Sequence, residues 1–224
     1  MSSKTSQLPS LDFERTFLSQ GAQYIIGMDE VGRGCIAGDV AVGAALIDLS
    51  QSETWPENLK DSKMLSEKAR ETIFPKIENY VSDYAVGFGT VQEIEAQGIM
   101  SALGSAAVRA LEQLLAKPET LAILRNQKVQ IILDGNLDYL GTKSFGFPVV
   151  TKVKADQSCV SVACASILAK VTRDRLMLEL DDKFQGYDLA SNKGYASAKH
   201  RDALRRLGTT EIHRTSWLSK ILAE

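Results

Sequence analysis

The fold of this chain is decided by the stretch Tyr24-Ile25-Ile26-Gly27-Met28-Asp29-Glu30-Val31-Gly32-Arg33-Gly34. Its apolar, β-branched first half predicts a short buried strand. The strand ends in two carboxylates, and buried acids are costly unless they are paired or bound to a metal. The Gly-Arg-Gly sequence that follows leaves backbone amides exposed beside a guanidinium. Together these features predict a metal-dependent site that binds phosphate.

The composition indicates a globular protein. The chain has 224 residues, of which 44% are hydrophobic and 24% charged, which is enough for one sizeable core or at most two small domains. No apolar run has the length of a membrane span, and residues 1–7 lack the apolar core of a signal peptide, so we expect a cytoplasmic protein. The three cysteines, Cys35, Cys159 and Cys164, have no CxxC spacing. We interpret them as free thiols rather than a disulfide framework or a zinc site.

Charge is distributed unevenly along the chain. The net charge of −2 argues mildly against a nucleic-acid partner, but residues 192–220 carry seven Lys or Arg against two acids. A basic end with acidic positions elsewhere would suit a protein that holds metal at one place and phosphate at another. The alternative is a solvated basic helix face, and charge alone favours that alternative.

Apolar runs and capping signals predict a mixed sheet with helices on both faces. Strands are expected at 24–28, 40–47, 83–90, 129–133 and 148–153, and residues 1–10 are expected to be disordered. Helices are expected at 11–20, 66–80, 90–98, 100–116, 160–184 and 197–208. Ser66 and Thr90 are predicted N-caps, the latter in a capping box with Glu93. Pro75 is expected to end or kink its helix, and Lys117-Pro118 to end another.

Four acids follow apolar strands in the predicted fold: Asp29, Glu30, Asp134 and Asp156. In open α/β sheets, ligands gather outside the carboxyl ends of the strands. Oxygen ligands suit Mg²⁺ or Mn²⁺ rather than zinc, and two such ions about 3.5–4 Å apart can activate water in phosphodiester hydrolysis. Any one of these acids could instead be an ordinary turn or N-cap residue; only for the pair beside Gly-Arg-Gly do we favour metal binding.

One geometric difficulty concerns the adjacent acids Asp29 and Glu30. Neighbouring residues of a strand point to opposite faces of the sheet. Both can therefore reach one metal site only if the strand deforms at Glu30.

Six segments of the chain resemble bacterial ribonuclease HII. They are GMDEVGRGCIAGDVAVGAAL, DSKMLSEKARE, ILDGN, VKADQSCVSVACASILAKVTRDRLM, NKGYASAKHRDALRRLG and HRTSW. They occur in the family's order and span about 11–218. The resemblance implies a ribonuclease H-like α/β fold, with a mixed five-stranded sheet flanked by helices. It divides the chain into an N-terminal extension with a short helix, 1–20, and a catalytic domain, 21–224, which includes a helical C-terminal part at about 185–224.

The resemblance also implies an activity. The family's enzymes are endoribonucleases that hydrolyse the RNA strand of RNA–DNA hybrids and nick DNA duplexes at embedded ribonucleotides. Two divalent ions, Mg²⁺ or Mn²⁺, would serve phosphodiester hydrolysis that leaves 3′-hydroxyl and 5′-phosphate ends. The expected partners are these nucleic acids, without a membrane, and the expected assembly is a monomer.

The resemblance assigns roles to particular residues. It implies that the catalytic, metal-binding set is Asp29, Glu30, Asp134 and Asp156. It implies that Gly32, Arg33 and Gly34 read the ribose 2′-hydroxyl, the group that distinguishes RNA from DNA. Tyr195 would pack against the sugar next to the scissile bond, although a core tyrosine is an equal alternative. Lys63 and Lys170 would contact phosphates, with solvated surface charge as the alternative.

The chain departs from the family at two loop positions. Cys35 and Asp39 stand where family members usually carry prolines, which predicts a looser loop and an added charge near the site. The spacer between Asp134 and Asp156 also looks a few residues longer than usual. Asp174, between two arginines in a predicted helix, is assigned a structural role.

Three other functions stay open. A ribonuclease HIII type would carry a sizeable extra N-terminal domain, whereas about twenty residues precede the first predicted strand. A non-catalytic nucleic-acid-binding relative would be favoured by loss of an acid, yet all four are present. A phosphotransferase should contain a GxxxxGK[ST] loop, which this sequence lacks.

Overall fold

The structure, a computed structural model, describes residues 8–50 and 54–221. Most of the segment predicted to be disordered, 1–7 of 1–10, lies outside the described residues. The strands are β1 Tyr24–Val31, β2 Val40–Asp48, β3 Asp83–Gly89, β4 Val129–Asp134 and β5 Val149–Lys152. They form one sheet in the order β3-β2-β1-β4-β5. The pairs β1–β2 and β2–β3 are antiparallel, while β1–β4 and β4–β5 are parallel. The predicted mixed five-stranded sheet is confirmed.

Helices connect and cover these strands. In chain order they are α1 Asp12–Arg15, α2 Glu67–Tyr80, α3 Val91–Gln97, α4 Ile99–Leu115, α5 Pro118–Asn126, α6 Ala155–Ser158, α7 Val160–Lys183, α8 Leu189–Asn192, α9 Ala198–Leu207 and α10 Leu218–Ile221. Short 3-10 helices occupy Thr16–Gln20, Ser62–Met64, Gly141–Lys143 and Thr215–Trp217. No helix in the described ranges has both the length and the apolar character needed to cross a membrane.

The two faces of β1 bury different side chains. Ile25 packs with α2 and α7 on one face, while Ile26 and Met28 pack with α4 on the other. Helix α7 approaches the sheet closely, because a Cβ at Gly27 would lie 2.2 Å from the backbone of Ser161. Small residues in α7 therefore bring that helix directly over the strand that carries the acids.

Four local predictions have clear outcomes. Ser66 caps α2, and Thr90 with Glu93 forms the predicted capping box. Helix α2 does not end at Pro75 but continues to Tyr80. Helix α5 was not predicted, because Pro118 was interpreted as a stop, whereas proline at the first turn begins this helix.

A separate apolar cluster attaches the C-terminal segment to the loop that follows β1. Ile36 of that loop packs with Met177 of α7 and with Tyr187, Leu204 and Ile212 of the C-terminal part. The loop that begins with the Gly-Arg-Gly sequence is therefore anchored to α7 and to the C-terminal part. At the other terminus, Leu11 and Phe17 are buried in the main core. The division of the chain at residue 20 stays a prediction.

Candidate active site

Three of the four predicted acids lie at one edge of the sheet. The pairing of β1 with β4 ends at Met28 and Leu133, so Asp29 and Asp134 both follow the last shared rung. The Asp134 Oδ1 accepts hydrogen bonds from the N–H of Ala155 at 2.6 Å and of Asp156 at 3.3 Å. These bonds place the first turn of α6, and with it Asp156, beside the end of β4.

The electrostatics of this edge disfavour negative charge. Burial, together with the charges of Asp134, Glu30 and Asp156, raises the pKa of Asp29 well above its usual value, and a hydrogen bond from Ser166 opposes the rise. For Asp156, burial and the charge of Asp134 raise the pKa to about 6. Carboxylates that repel one another in a buried site favour the arrival of a compensating cation.

Glu30 lies on the opposite face of β1, and the expected deformation of the strand does not occur. The register with β2 continues without interruption through Glu30–Val42 and Val31–Ala41. Burial raises the pKa of Glu30, Arg33 lowers it, and Asp134 raises it again, so Glu30 still shares the field of the acidic edge. The strand is therefore undeformed at Glu30, and metal binding by both adjacent acids stays a prediction.

A tyrosine that sequence reasoning missed lies beside these acids. The Tyr139 hydroxyl is buried and has no hydrogen-bond partner among the described residues. Burial, followed by the charges of Glu30, Asp29 and Asp134, raises its pKa well above the ordinary value. No local pattern marks Tyr139, which comes from the long spacer between β4 and β5.

The donor set fits a hard divalent cation. All four acids offer oxygen ligands, which Mg²⁺ and Mn²⁺ prefer, and burial raises the pKa of three of them. Within 8–50 and 54–221, no three His, Cys, Asp or Glu side chains already stand as a set that could hold an ion. Metal binding would therefore require rotation of the acidic side chains. Two of the acids are at present paired with basic side chains.

These two cations are Lys63 and Arg33. The Lys63 Nζ lies 3.7 Å from Asp156 Oδ2, and the Arg33 Nη1 lies 3.5 Å from Glu30 Oε1. Burial lowers the pKa of Lys63, but the surrounding carboxylates together raise it above its usual value. Both basic side chains are at least half exposed, so each can release its acid at little cost.

The predicted binding residues line a single cavity of about 190 Å³. Its walls are formed by Glu30, Val31, Gly32, Arg33, Gly34, Ser62, Lys63, Lys170 and Tyr195. Lys170 is 14% exposed, and its Nζ donates to Asp174 Oδ1 at 2.7 Å. The same Nζ lies 5.9 Å from the centre of the Tyr195 ring. The structure therefore brings these residues together, although Lys170 is engaged within the protein and Asp174 has the structural contact expected of it.

Tyr195 is 43% exposed at the cavity wall, which distinguishes it from a core tyrosine. Its backbone carbonyl accepts a hydrogen bond from His200 Nδ1 at 2.9 Å, and its N–H donates to Asn192. Burial and the neighbouring Cys35 raise the pKa of its phenol. The ring is thus presented to the cavity by a fixed backbone turn.

The loop between β1 and β2 is held by bonds at the two positions where proline was expected. The Cys35 Sγ lies 3.6 Å from the carbonyl oxygen of Lys193. The Asp39 Oδ1 accepts the N–H of Val91, the first residue of α3, at 2.9 Å. Two further residues that the sequence did not single out, Arg173 and Arg214, are fully buried against the same loop.

The basic C-terminal segment exposes less positive charge than its count of Lys and Arg residues predicts. Arg214 is fully buried, and Lys193 is largely buried and pairs with Glu67. The exposed charges include Lys199 and Arg206, on opposite ends of α9. Lys199 is 82% exposed and lies 4.0 Å from Asp188, too far for a strong ion pair.

Comparison with known proteins gives a consistent result. The family model described as Ribonuclease HII matches residues 26–220. The Ribonuclease HII of Streptomyces avermitilis is 43% identical over 210 residues, covering 93% of this chain and 83% of that protein.

Solved structures share the fold. The ribonuclease H2 from Pyrococcus horikoshii OT3 aligns with a TM-score of 0.70 and 28% identity, covering 89% of this chain and 97% of that one. The structure of Bst-RNase HIII in complex with Mn²⁺ aligns with a TM-score of 0.65 and 24% identity, covering 91% of this chain and 70% of that one.

Proposed function

The chain belongs to the ribonuclease HII family, and on that premise we propose how its acidic edge and adjoining cavity act on nucleic acid. The chain is a metal-dependent ribonuclease H that hydrolyses the RNA strand of RNA–DNA hybrids. We propose further that it nicks DNA duplexes at embedded ribonucleotides and leaves 3′-hydroxyl and 5′-phosphate ends.

The observation that carries the proposal is the junction of the acidic edge with the cavity, made by Lys63 beside Asp156 and by Glu30 in the cavity wall. We propose that Asp29, Glu30, Asp134 and Asp156 hold two divalent ions, Mg²⁺ or Mn²⁺. When bound, such ions activate water and stabilise the leaving oxygen of a phosphodiester. The Mn²⁺ in the Bst-RNase HIII structure supports this choice of ion class.

The residues of this chain would orient the substrate around that centre. The Gly32-Arg33-Gly34 backbone would bind the ribose 2′-hydroxyl, and the exposed ring of Tyr195 would pack on the neighbouring sugar. Lys63, once it leaves Asp156, would contact a phosphate of the cut strand. Lys170, held by Asp174 under the Tyr195 ring, would add positive charge to the same wall.

The alternative functions predict different cleavage behaviour. A ribonuclease HIII-like hybrid nuclease is required only to cut hybrids, and a non-catalytic relative would bind either duplex without cutting it. The retained acidic set, in which Asp29, Glu30 and Asp156 have raised pKa values, favours catalysis. A cytoplasmic monomer is the assembly and location we propose.

The test is cleavage of one DNA duplex carrying a single ribonucleotide, compared with an all-DNA duplex and a full RNA–DNA hybrid. Each substrate is incubated with chelator, Mg²⁺ or Mn²⁺, and the ends are identified by ligation and phosphatase treatment. We expect metal-dependent nicking at the ribonucleotide with a ligatable 5′-phosphate. Cleavage of the hybrid alone would favour the ribonuclease HIII alternative, and binding without cleavage would favour the non-catalytic one.

A further inference from the structure

Two fully buried arginines contact the loop after β1 through its backbone carbonyls. Arg173 belongs to α7 and Arg214 to the segment after α9, and neither exposes any surface. No carboxylate of the described ranges lies within 4 Å of either guanidinium. Burying an arginine without an acidic partner is costly, so the carbonyl contacts must supply its hydrogen bonding.

Arg214 holds both ends of this loop. Its Nη1 donates to the carbonyl oxygen of Arg33 at 3.0 Å, while its Nε and Nη2 donate to that of Gly38 at 3.1 and 2.7 Å. Its own N–H donates to the carbonyl of Ile36 at 2.8 Å. One side chain thus fixes the loop at Arg33, inside the Gly-Arg-Gly sequence, and at Gly38, five residues further on.

Arg173 joins the same loop to the turn that carries Tyr195. Its Nε and Nη2 donate to the carbonyls of Asp39 and Ala37, and its Nη1 donates to the carbonyl of Lys193 at 2.8 Å. Gly32 is required for this approach, because its φ is +80° and a Cβ there would lie 2.2 Å from Arg173 Nε. The two guanidiniums therefore form a floor beneath the loop.

The bond to Arg33 determines where the next amide points. The carbonyl and the N–H of a trans peptide point in opposite directions, and no cis peptide occurs in the described chain. Since the Arg33 carbonyl points inward to Arg214, the N–H of Gly34 points outward. Gly34 is exposed, lines the cavity, and has open space where a Cβ would stand. Its N–H donates to no other residue of the described part.

We infer that Arg214 is a positioning residue for ribonucleotide recognition, which holds the Arg33–Gly34 peptide so that the Gly34 N–H donates to a ribose 2′-oxygen. This inference rests on the proposed function of the Gly-Arg-Gly sequence. A guanidinium is needed here because different nitrogens of one planar group bind two carbonyls that lie five residues apart in the chain. Lysine has a single Nζ and does not reproduce this geometry. Arg214 touches no substrate itself and acts through the backbone.

The first test compares Arg214→Lys with the wild type in chelator, where binding proceeds without cleavage. Dissociation constants are measured for a duplex with one ribonucleotide and for the identical all-DNA duplex. We expect the preference for the ribonucleotide to fall about tenfold or more, the loss that accompanies a misplaced hydrogen bond, while all-DNA binding is unchanged. Arg175→Lys, the same exchange at a half-exposed arginine of α7 that pairs with Glu71, serves as the control and should keep the preference.

Outcomes separate the inference from the proposed function. A folded Arg214→Lys protein with the wild-type preference overturns the inference alone. A wild type without any preference for the ribonucleotide overturns the recognition role of the Gly-Arg-Gly sequence, and the inference with it. Equal losses on both duplexes would show a purely structural arginine and also count against the inference.

The second test needs no variant and can overturn the inference even if Arg214→Lys does not fold. The ¹⁵N–¹H resonance of Gly34 is followed in wild-type protein, again in chelator, on addition of each duplex. We expect a shift of this amide with the ribonucleotide duplex that the all-DNA duplex does not produce. An amide that responds equally to both duplexes, or to neither, overturns the inference.

Discussion

The ammonium of Lys63 lies 3.7 Å from the carboxylate of Asp156, at the boundary between the acidic edge and the cavity. The lysine side chain is 74% exposed, whereas the aspartate is almost fully buried. Lys63 is therefore the solvent-accessible member of the pair, and under the proposed function it would exchange the carboxylate for a phosphate of the substrate. Under the proposed metal assignment, the same residue would compete with a divalent ion for Asp156.

Replacing Lys63 with Met should affect ion and substrate in opposite directions. Without the competing cation, Mn²⁺ should bind the free protein about two- to fivefold more tightly, in line with the small energy of an exposed ion pair. The KM for a hybrid should rise, because a phosphate contact is lost. Calorimetry and steady-state kinetics measure the two effects, and Lys68→Met, at an exposed lysine of α2, is the control. Unchanged ion affinity would place Lys63 outside the metal centre.

Replacing Asp29 with Asn should abolish turnover without destabilising the fold. The carboxylate is buried and repelled by three other acids, so its neutral isostere should unfold at an equal or higher urea concentration in metal-free buffer at pH 8. Loss of a shared metal ligand should lower kcat by at least about a hundredfold, since metal stabilisation contributes several kcal/mol. Near-normal activity of the folded variant with Mg²⁺ would contradict the metal assignment.

Gly34 and Gly32 should respond differently to a side chain. A Cβ at Gly34 meets no heavy atom within 4 Å, so Gly34→Leu should fold normally and block only the approach of substrate. Cleavage at a single embedded ribonucleotide should fall, while binding to plain DNA, which depends on phosphate contacts, should change little. Gly32→Ala, by contrast, would force a Cβ into Arg173 at a positive φ, and its melting temperature should drop. A stable Gly32→Ala protein would contradict the described loop.

The sheet could be predicted from sequence because its strands are locally encoded. The continuous apolar runs of β1 and β2 signal strands covered on both faces, and their predicted bounds differ from the observed ones by no more than three residues. The acids of the candidate site could be located in the same way, because an acid that directly follows an apolar strand is visible in the local sequence. Helix α5 was missed because a proline both ends and begins helices.

The two buried arginines that support the loop between β1 and β2 could not be predicted. No local pattern marks Arg173, in a predicted helix, or Arg214, in the basic segment, as buried. Their partners are backbone carbonyls up to 181 residues away in the chain. Because every residue has a backbone carbonyl, the sequence does not indicate which carbonyl an arginine will bind. Counting Arg214 and Lys193 as surface charge likewise overestimated the positive face, because tertiary packing buries both.

The buried imidazoles of His200 and His213 should make stability depend on pH. Their Nε2 atoms are 3.3 Å apart, and the Thr210 N–H donates to His213 Nδ1, so this network assigns a neutral tautomer to each ring. Burial lowers the pKa of both, that of His213 to about 4. The unfolded chain, with histidine pKa near 6.5, therefore binds more protons between these values. The histidine contribution is present above pH 6.5 and is lost as the pH falls toward 4.

Urea unfolding of the wild type and of a His200→Gln/His213→Gln variant at pH 7.5, 6.5, 5.5 and 4.5 measures this contribution. The free energy of unfolding of the wild type, relative to the variant, should fall by up to about 3 kcal/mol across the series. The comparison with the variant is needed because the raised pKa values of Glu14 and Asp29 act with the opposite sign in both proteins. A constant difference would mean that the two rings are not neutral in the fold.

Reversing the charges of Lys199 and Arg206, two exposed residues of α9, should weaken nucleic-acid binding and reduce its salt dependence. Lys199 and Arg206 lie seven residues apart on one helix face and are exposed, whereas Arg205 is paired with Asp202. Each phosphate contact contributes about one to the slope of log affinity against log salt. Lys199→Glu with Arg206→Glu should therefore flatten the slope for an RNA–DNA hybrid by up to about two, while kcat at saturating substrate survives because the acids lie elsewhere.

The matched control is Arg125→Glu with Lys128→Glu, which changes the net charge equally at exposed positions. Both residues precede β4, at the end of the sheet opposite the acidic edge, so they are remote from the expected path of the duplex. Affinities of the wild type and both variants are compared across a salt series. A parallel line for the α9 variant would mean that its charges are merely solvated. An equal flattening in the control would mean that net charge, rather than a phosphate contact on α9, determines the slope.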